Sequence, residues 1–245
     1  MDLEVKEKLL KKHWFPPQYV LHAWNTILDI FGVDIINSDT DLKKVQEMKA
    51  TSIMMLGIYK NLGFEKYFMQ GATEKEQFPD TFTIYQTEHP VETKWQTIEV
   101  VGYGDQDNRH IDVGQFILET KLVSKKKAYD EDTIILCNIL KDNTQIDYVD
   151  IFSKLSSAKF KPTRVYVVGN LHDDIWRLSQ VWPTITHVNI DVVAEANNYP
   201  EKRPFLFRLG KSETFDVQHH QLIPVPNAFE IFGLDESKLR ARYNK

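Results

Sequence analysis

Only one cysteine, Cys137, occurs among the 245 residues, which excludes an internal disulfide and suits a reducing compartment. No stretch approaches the ~18 consecutive apolar residues of a membrane span. The opening "MDLEVKEKLLKKHW" also lacks the apolar run of a signal peptide. Positive charge is in deficit: 30 Lys and Arg stand against 35 Asp and Glu, for a formal charge of −5. A uniformly basic nucleic-acid-binding domain is thereby excluded, so any basic surface must be local. Internal repeats and low-complexity linkers are missing as well. What is present is an ordinary globular composition, 42% hydrophobic and 27% charged, enough for one sizeable core or a core with a small lobe. The expectation is a soluble, cytoplasmic protein with no membrane partner.

Along the chain, "VKEKLLKK" and "PQYVLHAWNTILDIFG" have the pattern of two amphipathic helices, the second ending at Gly32. The capping signal "SDTD" opens a helix over about 41–62, with Val45, Met48, Ser52, Met55, Tyr59 and Leu62 on one stripe and Gly63 at its end. "EKYFMQGA" reads as a first strand. Strands near 79–87 and 95–103 follow, and then a helix in "HIDVGQFILETKLVSKKKAY", where Val113, Phe116, Ile117, Thr120 and Val123 recur at helical spacing. "TIILCNIL", "TRVYVVGN" and "HVNIDVVAEA" read as further strands, with helical "IDYVDIFSKLSSAKF" and "DDIWRLSQVWP" between them. That alternation predicts βαβαβ with buried parallel strands. The tail predicts a hairpin and a terminal helix. Three regions result: a helical extension over 1–40, an α/β core over 41–200 and a C-terminal hairpin and helix over 201–245.

The stretch "FPDTFTIYQTEHPVETKWQTIEVVGYG", residues 78–104, holds the chemistry. A turn centred between His89 and Pro90 makes antiparallel partners sum to 179, so Asp80 faces Glu99. Alternation sets Asp80, Phe82 and Ile84 on one face with Trp95, Thr97, Glu99 and Val101. Two facing carboxylates on an otherwise apolar hairpin repel unless a cation or a proton lies between them. Hard oxygen ligands with few histidines nearby favour Mg2+ or Mn2+. A plainer reading stands beside this one. Asp80 binds its own turn backbone, and Glu99 pairs with a basic side chain from a packed helix.

The order helix, three strands, helix, strand, with "PD" opening the second strand and an acid within the third, resembles the PD-(D/E)XK nuclease superfamily. The resemblance covers roughly residues 41–140. It implies a restriction-endonuclease-like α-β-β-β-α-β core, extended here by further βα units, and a metal-dependent endonuclease acting on DNA. Carried over residue by residue, it makes Asp80 and Glu99 the metal ligands and Glu47 of "VQEMK" the helix acid. The lysine of the pattern would fall at Val101, and valine cannot polarise water or offset phosphorane charge.

Three accounts of the missing lysine stay open. Lys121 supplies it from the following helix, metal ions act alone, or the site is inactive. A fourth takes "FILETKLV" as a strand, which would make Asp112, Glu119 and Lys121 a literal motif. Arg109, Lys125, Lys126 and Lys127 are candidates to grip phosphates, with a solvated helix end as the alternative. Cutting both strands would favour a homodimer. The competing function is a catalytically silent protein of this fold that binds nucleic acid or a protein partner. "GYGDQD" and "LGKS" fail as nucleotide loops because Asp107 and Phe205 stand where glycine is needed. Cys137 reads as a small core residue, and His219 and His220 as a solvated pair.

Overall fold

The computed structural model describes residues 9, 12–63, 67–71, 79–88, 91–104, 112–123, 133–141, 143–159, 162–198, 205–206, 221–222 and 226–244. Seven strands form one sheet in chain order: β1 (Tyr67–Gly71), β2 (Thr81–Glu88), β3 (Val91–Tyr103), β4 (Thr133–Ile139), β5 (Arg164–His172), β6 (Ile175–Trp182) and β7 (Thr186–Asp191). β1 to β3 run antiparallel, β4 and β5 join parallel to β3, and β6 and β7 return antiparallel. The hairpin register is the one the alternation predicts, from Thr81 opposite Ile98 to Glu88 opposite Val91. At the sheet edge, Phe15 bridges Met69 of β1 with two backbone hydrogen bonds of 2.9 and 2.8 Å. Two short strands, β8 (Phe205–Leu206) and β9 (Gln221–Leu222), pair apart from the sheet.

Helices lie on both faces. α1 (Pro17–Phe31) ends where Gly32 adopts φ 80°, followed by α2 (Val33–Ser38). The Asp39 carboxylate then caps a 3-10 turn (Thr40–Leu42) through Asp41 N–H, and α3 (Lys43–Met55) begins. α3 is buried on every side from Ala50 to Met55, so it is the central helix of the first face. Ile98 and Val100 of β3, Ile134 and Leu136 of β4, and Tyr166 and Val168 of β5 pack against it. Ile27 and Phe31 of α1 join the same cluster, as do Phe229 and Phe232 of α7 (Ala228–Phe232) and Leu239 of α8 (Glu236–Tyr243).

On the opposite face α4 (Val113–Ile117) and α5 (Tyr148–Ser157) cover Ile135, Cys137, Val165, Val167 and Val181. α6 (Val192–Asn197) follows β7. Among the described residues no helix is long and apolar enough to cross a membrane.

Four expectations are corrected. "DDIWRLSQVWP" is not helical: it is strand β6, hairpinned to β5 around Asp173, so the core is extended by one helix–strand unit, α5 with β5 parallel to β4, and then by the antiparallel strands β6 and β7 in place of a second such unit. The strand expected over "HVNIDVVAEA" stops at Asp191, where the Asp191 carboxylate accepts from Ala194 N–H and starts α6. Helix α3 passes into a π-helical turn (Leu56–Lys60), and the extra residue per turn rotates Leu62 out of the stripe to 63% exposure. "FILETKLV" is helical, with a second π-helical turn (Leu118–Val123), so the strand reading of Asp112, Glu119 and Lys121 is overturned. Residues 1–8, 10 and 11, which hold six of the eight residues of "VKEKLLKK", lie outside the described residues, as do His219 and His220. Cys137 is a fully buried core residue of β4.

Candidate active site

Asp80 precedes β2 by one residue, and its N–H donates to Ile98 O at 3.1 Å, so the antiparallel ladder reaches it. Its side chain turns to the neighbouring strand, where Oδ2 accepts from Val100 N–H at 2.7 Å. That bond aims the carboxylate at β3 and not at its own turn. Glu99 sits within β3 between β2 and β4 and is 2% exposed. A carboxylate buried so deeply needs a cation, and Lys121 supplies it, with Nζ 2.6 Å from Glu99 Oε2.

The π-helical turn explains how Lys121 arrives. Ile117 and Leu122 are both buried, a spacing of five that fits a π turn, while Thr120, expected inside, is only half-buried and bonds back to Phe116 O at 2.7 Å. Anchoring Leu122 sets Lys121 beside β3. Val101, where the family pattern would have lysine, packs instead against the apolar cluster under α4. A lysine from the helix thus meets the strand acid, whereas Asp112 caps α4 through Gln115 N–H at 2.7 Å and Glu119 accepts from Gln115 Nε2 at 2.7 Å.

Glu47 comes from α3 on the other face of the sheet. The Thr51 hydroxyl donates to Glu47 O at 2.9 Å and, with that proton used, accepts from the Thr81 hydroxyl at 2.9 Å. This relay pins α3 to the first residue of β2, next to Asp80. Burial, followed by the nearby Asp80 charge, raises the Glu47 pKa above the ordinary carboxylate value, against the pull of Lys43 and Lys121. Burial likewise raises that of Asp80; Lys121 and the Val100 N–H oppose it, and Glu99 adds to it. Three carboxylates from three elements therefore share one electrostatic neighbourhood with Lys121.

A fifth member was not anticipated. Lys43, one turn before Glu47, contacts Glu47 Oε1 at 3.0 Å. Burial works against its charge, but Glu47, Asp80 and Glu99 together outweigh it and raise its pKa. The only sequence signal was the i,i+4 spacing in "KKVQE", which by itself marks a common surface pair. Arg109, Lys125, Lys126 and Lys127 lie outside the described residues.

The pKa shifts have a consequence for stability. Glu47 and Asp80 hold protons more tightly folded than unfolded, so between the ordinary and the raised pKa the folded state binds more protons and stability falls as pH rises. Glu47→Gln should therefore raise the neutral-pH stability of the metal-free protein by about 1 kcal/mol, the exposed Lys43 contact being worth little. The gain should vanish on acidification below the ordinary glutamate range, where the wild-type side chain is itself neutral. Thermal unfolding at neutral and acid pH checks this; a loss at neutral pH would contradict it.

Among the described residues no group of three or more His, Cys, Asp and Glu side chains is arranged to hold a metal ion. The chemistry of the donors still suits a hard divalent cation. Asp80 and Glu99 offer carboxylate oxygens from adjacent strands, and Mg2+ commonly keeps several waters and takes only one or two protein carboxylates. No protein-family model matches the chain. Neither the curated proteins nor the solved structures contain a significant match.

Proposed function

We propose that the chain is a metal-dependent nuclease with a restriction-endonuclease-like core, hydrolysing phosphodiester bonds in DNA. The observation that carries the reading is the convergence of Glu47, Asp80 and Glu99 from α3, the start of β2 and the middle of β3, with the Lys121 amine 2.6 Å from Glu99. Structural needs account for Glu99 paired with Lys121, but not for a buried Glu47 standing close enough to Asp80 for that charge to raise its pKa. The order α3, β1, β2, β3, α4, β4, with a parallel crossover joining β3 to β4, also supports it.

In this reading Asp80 and Glu99 hold Mg2+ or Mn2+, which when bound would acidify a water and screen the phosphate charge. Glu47 would orient a water and take its proton as the water attacks phosphorus. The new P–O bond forms as the bond to the leaving sugar oxygen breaks, and a solvent proton neutralises the oxygen set free. The Lys121 ammonium donates to the phosphoryl oxygens as their charge grows, the work assigned to the lysine of the motif. Lys43, more exposed, holds the adjacent phosphate.

The competing reading, a silent protein of this fold, draws on the Lys121–Glu99 ion pair, which already satisfies the buried acid. Incubating purified protein with supercoiled and linear duplex DNA, with Mg2+, Mn2+ or Ca2+, separates the two. Cleavage with Mg2+ or Mn2+ that is lost with Ca2+ supports the nuclease. Salt-sensitive binding without cleavage supports the silent protein, and neither outcome removes both.

A further inference from the structure

Two residues beyond Glu47, α3 carries Lys49, a lysine whose burial the nuclease reading does not explain. Lys49 is 4% exposed, and its amine lies 4.1 Å from the ring centroid of Trp24 on α1 and 3.4 Å from that of Trp176 on β6. Burial alone holds its pKa well below the ordinary lysine value. Two indole faces partly compensate an ammonium by attraction to their electron-rich surfaces, but they supply no counter-charge. An ammonium has three donors, and an aromatic face is no substitute for an oxygen acceptor.

This amine lines a cavity of about 210 Å3 between α1, α3, the end of β4 and β6. Its walls carry two unsatisfied polar atoms, Trp24 Nε1 and Gln46 Oε1. Gln46 is 8% exposed and spends its amide nitrogen on Asn37 Oδ1. The remaining wall includes apolar side chains such as Leu28 and Ile139. An amine that a bound carboxylate would hold in its charged form, and an indole N–H, are two donors that match the two oxygens of a carboxylate. A lone acceptor beside them matches a hydroxyl or amine on the same molecule, and the apolar wall matches a hydrocarbon body. A phosphate, with its greater charge and more acceptors, would be left under-satisfied by two donors. The volume is many times what one water needs, ~10–15 Å3, yet below the ~300 Å3 at which sites for drug-sized ligands begin.

We propose that this cavity binds a small organic carboxylate bearing a neighbouring hydroxyl or amino donor, held by Lys49 between Trp24 and Trp176. The site is separate from the carboxylate cluster, because Lys49 and Glu47 project from different sides of α3. Nothing in it depends on the chain being a nuclease.

Mandelate has the carboxylate, the adjacent hydroxyl and an apolar ring; mandelamide lacks the charge and phenylacetate the hydroxyl. Calorimetric titration of the intact chain should show saturable mandelate binding, with mandelamide weaker by about tenfold or more, as expected for losing a hydrogen bond to a charged group. Phenylacetate should fall between them. Lys49→Met, whose folding is checked by circular dichroism, should bind mandelate no better than mandelamide. No saturable mandelate binding, equal affinity for acid and amide in the wild-type chain, or full affinity in a folded Lys49→Met variant would each overturn the proposal. The acid and amide comparison needs no variant, so a misfolded Lys49→Met leaves the test intact.

Discussion

Lys121→Met should lower folding stability by about 3–5 kcal/mol, because it leaves the Glu99 carboxylate charged within the sheet without its 2.6 Å counter-ion. Glu99 is 2% exposed, so water cannot take over. Lys43 also feels the Glu99 charge, which puts the expected cost toward the lower end of that range. Urea-induced unfolding of the single variants and of Lys121→Met with Glu99→Gln separates the pair from its parts. Replacing both charges removes the uncompensated ion, so the double variant should recover most of the loss and the two substitutions should be strongly non-additive. A single variant within about 1 kcal/mol of wild type would mean that the Lys121–Glu99 pair contributes little to folding stability.

The hairpin was legible because a short polar turn between two apolar runs fixes the register of both strands. The sum of 179 that places Asp80 opposite Glu99 holds from Thr81 and Ile98 to Glu88 and Val91. β6 was misread because no comparably clear turn marks it. It is buried on both faces, with Trp176 and Leu178 in one cluster and Val181 in the other, so alternation is lost. Ile175, Leu178 and Trp182 then fall by chance at helical spacing behind an aspartate pair that mimics an N-cap. The helix bearing Lys121 was legible, but the π-helical turn that swaps Leu122 for Thr120 in the core has no counterpart in α-helical periodicity. Acids could be picked out because carboxylates are conspicuous on an apolar hairpin. Lys43 and Lys49 could not, since a lysine on a helix is ordinarily a solvated one.

If the cluster cleaves DNA, Asp80→Asn and Lys43→Gln should fail in different ways. Asp80 keeps its bond to Val100 N–H as asparagine, because the acceptor oxygen survives, so the fold is preserved while the charge is lost. The missing charge matters most as phosphorus is attacked, and kcat should fall about 10²-fold or more with duplex affinity in Ca2+ nearly unchanged. Neutralising a buried acid of raised pKa should also stabilise the metal-free protein at neutral pH, which rules out misfolding as the cause of lost activity. Lys43 is 68% exposed and holds its charge against burial with the help of three acids, as expected of a group that meets a phosphate in the bound complex. Lys43→Gln should weaken binding across all duplex sequences and flatten its salt dependence by about 0.9 in log–log slope, one phosphate's worth, with a smaller loss in kcat. Quenched-flow single-turnover cleavage, paired with anisotropy titrations over a range of salt, reads both quantities. Were Asp80→Asn to cut as fast as the wild type, the carboxylate cluster would be structural and the catalytic reading would fall, whatever Lys43→Gln did to binding.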